Sequence, residues 1–229
     1  MRHYSAVAVH WLGRHILREK RSSEKICKVM VLMSCDTSSL VVDWLCAKTK
    51  EQNIAVACFY VDFMARVEQS PKNILGSLLK QIVVGLKRIP DEVRQTLQDH
   101  TKAIGGKGLR AQEVVMMLQT VTLLQPTFIC VDAMDECLEE HRPEVLDSLR
   151  QILEKSPNTR MFLTGRWHVR DEIDRHLGGR AAILSIKPNN HDIVGYVRMR
   201  LSKDTSLDTM DSDLEDEIVK KIAENFPDT

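Results

Sequence analysis

The sequence lacks an excess of either charge, and it lacks any long apolar run. Its 229 residues include 32 Lys or Arg and 32 Asp or Glu, so the formal net charge is zero. A nucleic-acid partner, which binds largely through electrostatic attraction to phosphates, is therefore not expected. No unbroken apolar stretch approaches the roughly 20 residues that a helix needs to cross a bilayer. We therefore expect no membrane-spanning segment either.

Several residue patterns that carry familiar chemistry are also missing. The six cysteines contain no C-x-x-C pair and the eight histidines no H-E-x-x-H motif, so a zinc ribbon and a zinc protease are poor interpretations. There is no G-x-G-x-x-G dinucleotide fingerprint. Most cysteines lie within apolar stretches, which is typical of buried thiols in a reducing compartment. These features predict a cytoplasmic protein without a disulfide scaffold.

What the sequence does contain is a regular alternation of strand and helix patterns. Apolar runs without polar alternation are typical of strands that are buried on both faces. Parallel strands need crossover connections, which helices supply, so the pattern predicts an α/β fold with a parallel five-stranded sheet. The predicted strands are residues 27–33, 54–63, 127–131, 160–164 and 181–186.

The helical patterns between these strands have recognisable starts. Ser70 followed by Pro71 is a helix N-cap and first-turn pair, and Ser212 with Glu215 is a capping box. Asn189 or Asn190 is expected to cap the helix that carries Ile193. The predicted helices are residues 40–50, 71–86, 90–100, 109–123, 143–153, 190–201 and 212–222.

Composition divides the chain into three segments. Residues 1–25 are basic with apolar residues at helical spacing, and are expected to form a helix of unassigned role. Residues 26–204 are expected to form one α/β domain. The acidic residues 205–229 are expected to start a following helical region. Because the sequence stops directly after that helix, we expect it to be truncated from a larger protein.

Acidic residues follow the third predicted strand, where ligands of open parallel sheets bind. Asp132 ends this strand, and Asp135 and Glu136 lie in the turn that follows. An acid delivered by a buried strand can hold the water shell of Mg²⁺, and a neighbouring acid can orient or deprotonate a water for attack on a phosphoryl group. The alternative is an acidic turn that caps the next helix.

An arginine follows the fourth predicted strand at the corresponding position. Residues 161–166 read Met-Phe-Leu-Thr-Gly-Arg, so Arg166 lies at the strand end. A guanidinium in this position can contact a γ-phosphate through two hydrogen bonds. The alternative is a surface arginine paired with Asp171 or Glu172.

The segments 131–137, Val-Asp-Ala-Met-Asp-Glu-Cys, and 163–166, Leu-Thr-Gly-Arg, together resemble NACHT-type STAND P-loop NTPases. The similarity is to the fungal and nephrocystin-like N-terminal group, which ankyrin, WD or TPR repeats often follow. It covers roughly residues 29 to 226 and implies a three-layer P-loop NTPase fold with helices on both faces. It also implies that Asp132 is the Walker B acid near Mg²⁺, that Asp135 or Glu136 is the catalytic acid, and that Arg166 is the sensor 1 residue.

The sequence departs from this family at the Walker A loop. Members carry G-x-x-x-x-G-K-[S/T] after the first strand, a loop whose amides and lysine bind phosphates. Here residues 34–39 read Ser-Cys-Asp-Thr-Ser-Ser, with neither glycine nor lysine. Losing two or three charge-assisted hydrogen bonds removes about 6 kcal/mol of binding free energy, or roughly four decades of affinity. A micromolar nucleotide site would then bind at about 10 mM.

These observations predict a degenerate NACHT/STAND switch module in which binding and hydrolysis of ATP or GTP are weak or absent. Enzyme activity is accordingly not expected, and Mg²⁺ with ATP or GTP would be the cofactors if any nucleotide bound. One alternative is a scaffold that docks a protein partner or a second copy without nucleotide. Another is a mis-spliced version of a functional ATP- or GTP-hydrolysing STAND protein.

Overall fold

A computed structural model describes residues 29–33, 41–43, 45–47, 54–102, 108–185, 190–202 and 212–224. The basic segment 1–25 lies outside the described residues, and so does the segment 34–39 that occupies the place of a Walker A loop. Where these residues are described, the order of strands and helices follows the order predicted from the sequence.

Five parallel strands form a single sheet in the order β2-β3-β4-β1-β5. This confirms the predicted α/β class and the strand count of the sheet. The second strand ends at Tyr60 rather than Phe63, because the Asp62 side chain accepts a hydrogen bond from the Met64 amide and starts a 3-10 turn. The strands are β1 Val29–Met33, β2 Ala55–Tyr60, β3 Thr127–Asp132, β4 Thr159–Thr164 and β5 Ala181–Ser185.

Seven helices have complete bounds in the described part of the chain. The Ser70 hydroxyl accepts a hydrogen bond from the Asn73 amide and Pro71 is the first helical residue, as predicted. The helices are α1 Pro71–Val84, α2 Asp91–Lys102, α3 Ala111–Thr122, α4 Arg142–Lys155, α5 Arg170–Leu177, α6 Asn190–Leu201 and α7 Ser212–Glu224. Residues 41–43 and 45–47 are also helical, within the first predicted helix.

Helix α5 is the one helix with complete bounds that the sequence patterns did not predict. It has only eight residues and ends at Gly178, whose φ of 63° is easily adopted by glycine. Ile173 and Leu177 are its buried residues. Two apolar positions are too few to establish a helical period.

The two faces of the sheet are covered by different parts of the chain. Odd-numbered strand residues such as Val31, Ile129 and Leu163 belong to the main core, which includes buried residues of α1, α3, α4 and α5. Even-numbered residues lie on the opposite face, where Cys130 and Phe162 are buried. Val42, from the helical residues after β1, lines a crevice on that face. The predicted arrangement of helices on both faces is therefore confirmed.

The described residues fall into two compact units, divided after Ser185. In the second unit α6 and α7 contact each other, and Arg198 Nη2 lies 3.3 Å from Asp216 Oδ1. The domain boundary after residue 204 stays a prediction. No described helix has the length and apolar character that crossing a membrane requires.

Candidate functional site

Asp132 and Thr164 meet where β3 and β4 end. The Thr164 hydroxyl is fully buried; it donates a hydrogen bond to Asp132 Oδ1 and accepts one from the Ala133 amide at 2.9 Å. Because these strands are neighbours in the sheet, residues at their carboxyl ends are brought together by the register. The acid predicted from the Walker B resemblance is thus fixed by a threonine that the sequence analysis did not assign a role.

Ala133 gives the turn after β3 its direction. Its backbone is left-handed, with φ 56° and ψ 49°. This conformation costs a residue with a Cβ atom about 1 to 2 kcal/mol, and a small side chain keeps that cost low. The turn places Met134 in the core while Asp135 and Glu136 face the neighbouring loops.

Asp135 binds the start of the segment that follows β4. One carboxylate oxygen accepts a hydrogen bond from the Arg166 amide at 3.1 Å, and the other lies 3.4 Å from Arg166 Nε. The Asp135 side chain is 6% exposed, whereas that of Arg166 is 69% exposed. The alternative pairing of Arg166 with Asp171 or Glu172 is wrong, because Arg166 pairs with Asp135 and Glu172 instead lies 2.8 Å from the buried Arg142.

Glu136 binds the loop on the other side of β3. Its Oε2 accepts a hydrogen bond from the amide of Phe63, the first residue of the 3-10 turn after β2, at 3.0 Å. The backbone also links these strand ends, since the Val61 amide donates to the Asp132 carbonyl at 3.1 Å. The sequence predicted that Glu136 lies in the turn after β3. Its partner could not be predicted, because it is a backbone amide 73 residues away and not a recognisable side chain.

All three acids therefore have hydrogen-bond partners within the protein. Together they join the loops after β2, β3 and β4. Among the described residues no group of three or more His, Cys, Asp or Glu side chains is arranged to hold a metal ion. Mg²⁺ is usually held by one or two carboxylates together with phosphate oxygens and water, so Asp132 alone does not provide a metal site without a bound phosphate.

Large apolar side chains are exposed beside these acids. We define the strand-end surface as Tyr60, Phe63, Met64, Val67 and Trp167, because Tyr60 ends β2 and the other four residues follow the carboxyl ends of β2 and β4. Met64 is 87% exposed and Trp167 57% exposed. This surface was not predicted from the sequence. The feature that could have indicated it is a group of large apolar residues in the short segments that follow β2 and β4.

Arginines pack against two of the three aromatic rings of this surface. The Arg66 guanidinium carbon lies 4.0 Å from the centre of the Phe63 ring, and that of Arg170 lies 4.4 Å from the Trp167 ring. Such cation–π contacts contribute about 0.5 to 1 kcal/mol each at exposed sites. They keep the rings in defined positions at the edge of the sheet.

A shallow crevice that is too small to hold a water molecule lies on the face of the sheet covered by Val42. Cys58, Cys130, Tyr60 and Asp132 line it. The interaction between the two thiols lowers the pKa of Cys58. The same interaction, together with complete burial, raises the pKa of Cys130. Burial, with nearby acidic groups, also raises the pKa of Tyr60.

The family described as "Nephrocystin 3, N-terminal" matches this sequence over residues 36–166. The matched range includes Asp132, Asp135, Glu136 and Arg166. It also contains β2, β3 and β4 with the loops that follow β2 and β3. Comparison with curated proteins finds no match.

Three similar solved structures are the Aeropyrum pernix ORC1 protein in complex with DNA, Cdc6p from Pyrobaculum aerophilum and Drosophila ORC bound to DNA. The first has a TM-score of 0.59 at 16% identity and covers 99% of this chain and 56% of that chain. The second has a TM-score of 0.57 at 13% identity, covering 95% and 54%. The third has a TM-score of 0.55 at 12% identity, covering 97% and 50%.

This chain thus spans about half the length of these structures. At such low identity the likeness shows the fold alone, which is P-loop NTPase-like.

Proposed function

We propose, from the premise that this chain belongs to the nephrocystin 3 N-terminal family, that it is a degenerate nucleotide-binding switch module of a signalling protein. The finer assignment to the NACHT-type STAND class is part of this proposal. In it, Asp132 is the remnant of the Walker B acid and Arg166 that of sensor 1, and nucleotide binding and hydrolysis are weak or absent.

The observation that carries the proposal is the internal bonding of the acids at the strand ends. Asp135 is bonded to Arg166, and Glu136 to the Phe63 amide. Both carboxylate oxygens of Asp135 are engaged by Arg166, so Asp135 would have to give up one of these contacts to act on a water. These side chains therefore stabilise the loops in the state described here.

The sequence after β1 supports the same conclusion. Residues 34–39 have no glycine and no lysine, so a nest of amides with a lysine charge cannot be formed from the usual residues. Asp36 also precedes the predicted helix 40–50, so its carboxylate competes with a phosphate for the favourable dipole at the N-terminus of that helix. The estimated loss of about 6 kcal/mol corresponds to binding near 10 mM.

Titration with a fluorescent ATP analogue, with and without Mg²⁺, tests this proposal. We expect no saturation below about 1 mM. Any weak Mg²⁺-dependent signal should decrease in D132N and persist in E139Q, which changes an exposed acid further along the connection between β3 and α4. A Mg²⁺-dependent Kd below about 10 µM, three decades tighter than the estimate, would contradict it.

A second candidate function is a nucleotide-independent interaction module. The strand-end surface favours it, because exposed apolar residues that cluster on ordered turns are typical of protein-binding sites. A protein partner or a second copy would then bind at the carboxyl edge. The doubly substituted D132A/E136A chain separates the two candidates: partner binding that survives both changes and is insensitive to nucleotide favours the interaction module.

The solved structures in complex with DNA make nucleic acid a partner class to test. The equal numbers of acidic and basic residues argue against it for this chain. We propose instead self-association or a protein partner, in the cytoplasm. Fluorescence anisotropy with duplex DNA at low salt should show no binding, and a steep salt-dependent affinity would reverse this choice.

A further inference from the structure

Two cysteines lie opposite each other in the sheet. Cys58 of β2 and Cys130 of β3 are direct partners in the parallel register. Neighbouring strands are about 4.8 Å apart, which falls within the range of about 4.4 to 6.8 Å between Cα atoms that a disulfide bridges. The Cα spacing is therefore compatible with a disulfide, and a small local adjustment of the two strands would bring the Cβ atoms within the roughly 3.5 to 4.5 Å that the bond requires, about 0.3 Å or more closer than the strand spacing.

The two thiols already interact, and they differ in access to solvent. Both side chains line the same crevice, and their interaction lowers the pKa of Cys58 and, with burial, raises the pKa of Cys130. Cys130 is 2% exposed, whereas Cys58 is only half-buried. A reagent from solvent therefore meets Cys58 first, with Cys130 behind it as the nearest sulfur.

We propose that Cys58 and Cys130 are a reversible redox modification site that forms a disulfide by exchange with a low-molecular-weight disulfide. The Cys58 sulfur attacks one sulfur of the reagent, forming a mixed disulfide and releasing one thiol. The Cys130 sulfur then attacks the Cys58 sulfur and displaces the second thiol. Two thiols of the protein are oxidised, one reagent disulfide is reduced to two thiols, and the two protein protons leave with them.

Other cysteines of the described residues fit this role less well. Cys137 is buried at the end of the 3-10 turn after β3 and has no cysteine as a register partner. Cys46 lies in the helical residues above the same face and is exposed, so a bond between Cys46 and Cys58 is the competing product. The direct register of Cys58 with Cys130 favours Cys130 as its partner.

The bond would act on the candidate site through the backbone. Cys130 lies two residues before Asp132, and Cys58 two residues before Tyr60. A disulfide here would connect β2, the edge strand, covalently to β3 and restrict the strand ends that carry the acids. This inference does not depend on nucleotide binding.

The test is exposure of the reduced full chain to oxidised glutathione, followed by acid quenching and peptide mapping by mass spectrometry. We expect a Cys58–Cys130 cross-linked peptide that dithiothreitol removes. C137S should give the same product as the natural sequence. C130S should stop at glutathione on Cys58, and C58S should give neither product.

Three results would overturn the inference. One is glutathione that stays on Cys58 of the natural chain without cross-linking. Another is a Cys46–Cys58 bond as the main product. The third is no modification of either cysteine while both react after denaturation. All three are measured on the natural chain, so they stand even if a variant does not fold.

Discussion

Asp135 holds Arg166 through both its backbone and its side chain. One carboxylate oxygen accepts the Arg166 amide proton at 3.1 Å, and the other lies 3.4 Å from Nε. The acid is nearly buried, whereas the guanidinium is mostly exposed to solvent. The bond to the amide therefore contributes more to stability than the ion pair, because solvent screens exposed charges.

This difference predicts unequal effects of two substitutions. D135A removes a buried charged acceptor and should lower the free energy of unfolding by about 1.5 to 3 kcal/mol. R166A keeps the backbone amide and should cost less than about 1 kcal/mol. Urea unfolding of both variants measures this difference, with E139A as an exposed control from the same connection between β3 and α4. Equal losses for D135A and R166A would show that the ion pair dominates.

Thr164 provides a second test, at the junction of β3 and β4. T164V has nearly the same shape but removes the hydroxyl that bonds both Asp132 and the Ala133 amide. It should lower the free energy of unfolding by about 1 to 3 kcal/mol, because a buried amide and a carboxylate oxygen lose their partner. T164S retains the hydroxyl and should recover most of this loss. A T164V chain as stable as the natural one would contradict the proposed linkage.

The pH dependence of stability should include a contribution from Glu113. A hydrogen bond from the Arg110 amide, 2.7 Å from Oε2, lowers the pKa of Glu113, and His100 lowers it further. The folded chain therefore favours the charged carboxylate. The resulting stability is fully present above the unfolded pKa, near 4.5, and is lost as the pH falls toward the lower folded pKa.

Replacing this carboxylate separates its effect from other acids. In E113Q the unfolding free energy should decrease less between about pH 5 and pH 3 than in the natural chain. E92Q, in an exposed first-turn position of α2, is the matched control. An unchanged acid limb in E113Q would show that Glu113 has the same pKa in the folded and unfolded chain.

The sequence predicted the sheet well because its strands are buried on both faces. Ile129 and Cys130, adjacent in β3, point to opposite faces and both are buried, so the run is apolar without alternation. Helix α5 was missed because only Ile173 and Leu177 mark its buried side. The pattern of apolar residues therefore predicts elements that are extensively buried, such as β3, but it does not predict a short helix with two buried residues, such as α5.

The candidate site was predicted in part for a related reason. Strand ends converge at one edge of a parallel sheet, so the proximity of Asp132 to the turn before Arg166 follows from strand order. The hydrogen-bond partners of Asp135 and Glu136 could not be predicted from the sequence. Asp135 could accept a hydrogen bond from any nearby donor, and Glu136 accepts one from a backbone amide, which every residue except proline carries. Hydropathy also could not separate Met64 or Trp167 from core residues, because exposure depends on the turns that carry them.

The last prediction concerns β2, which is an edge strand of the sheet. The Gln81 side chain of α1 accepts a hydrogen bond from the Cys58 amide at 2.9 Å and donates one to the Cys58 carbonyl at 2.8 Å. It therefore occupies the position that a neighbouring strand would take, and an open edge strand promotes pairing between chains.

Q81A should expose this edge and increase self-association, which sedimentation velocity over a range of concentrations measures. K80A, an exposed change at the preceding position of the same helix, should sediment like the natural chain. Q81E keeps the acceptor for the Cys58 amide but loses the donor to its carbonyl, so association should be intermediate. If Q81A remains as monodisperse as K80A, then α1 itself, rather than the Gln81 amide, prevents pairing at this edge.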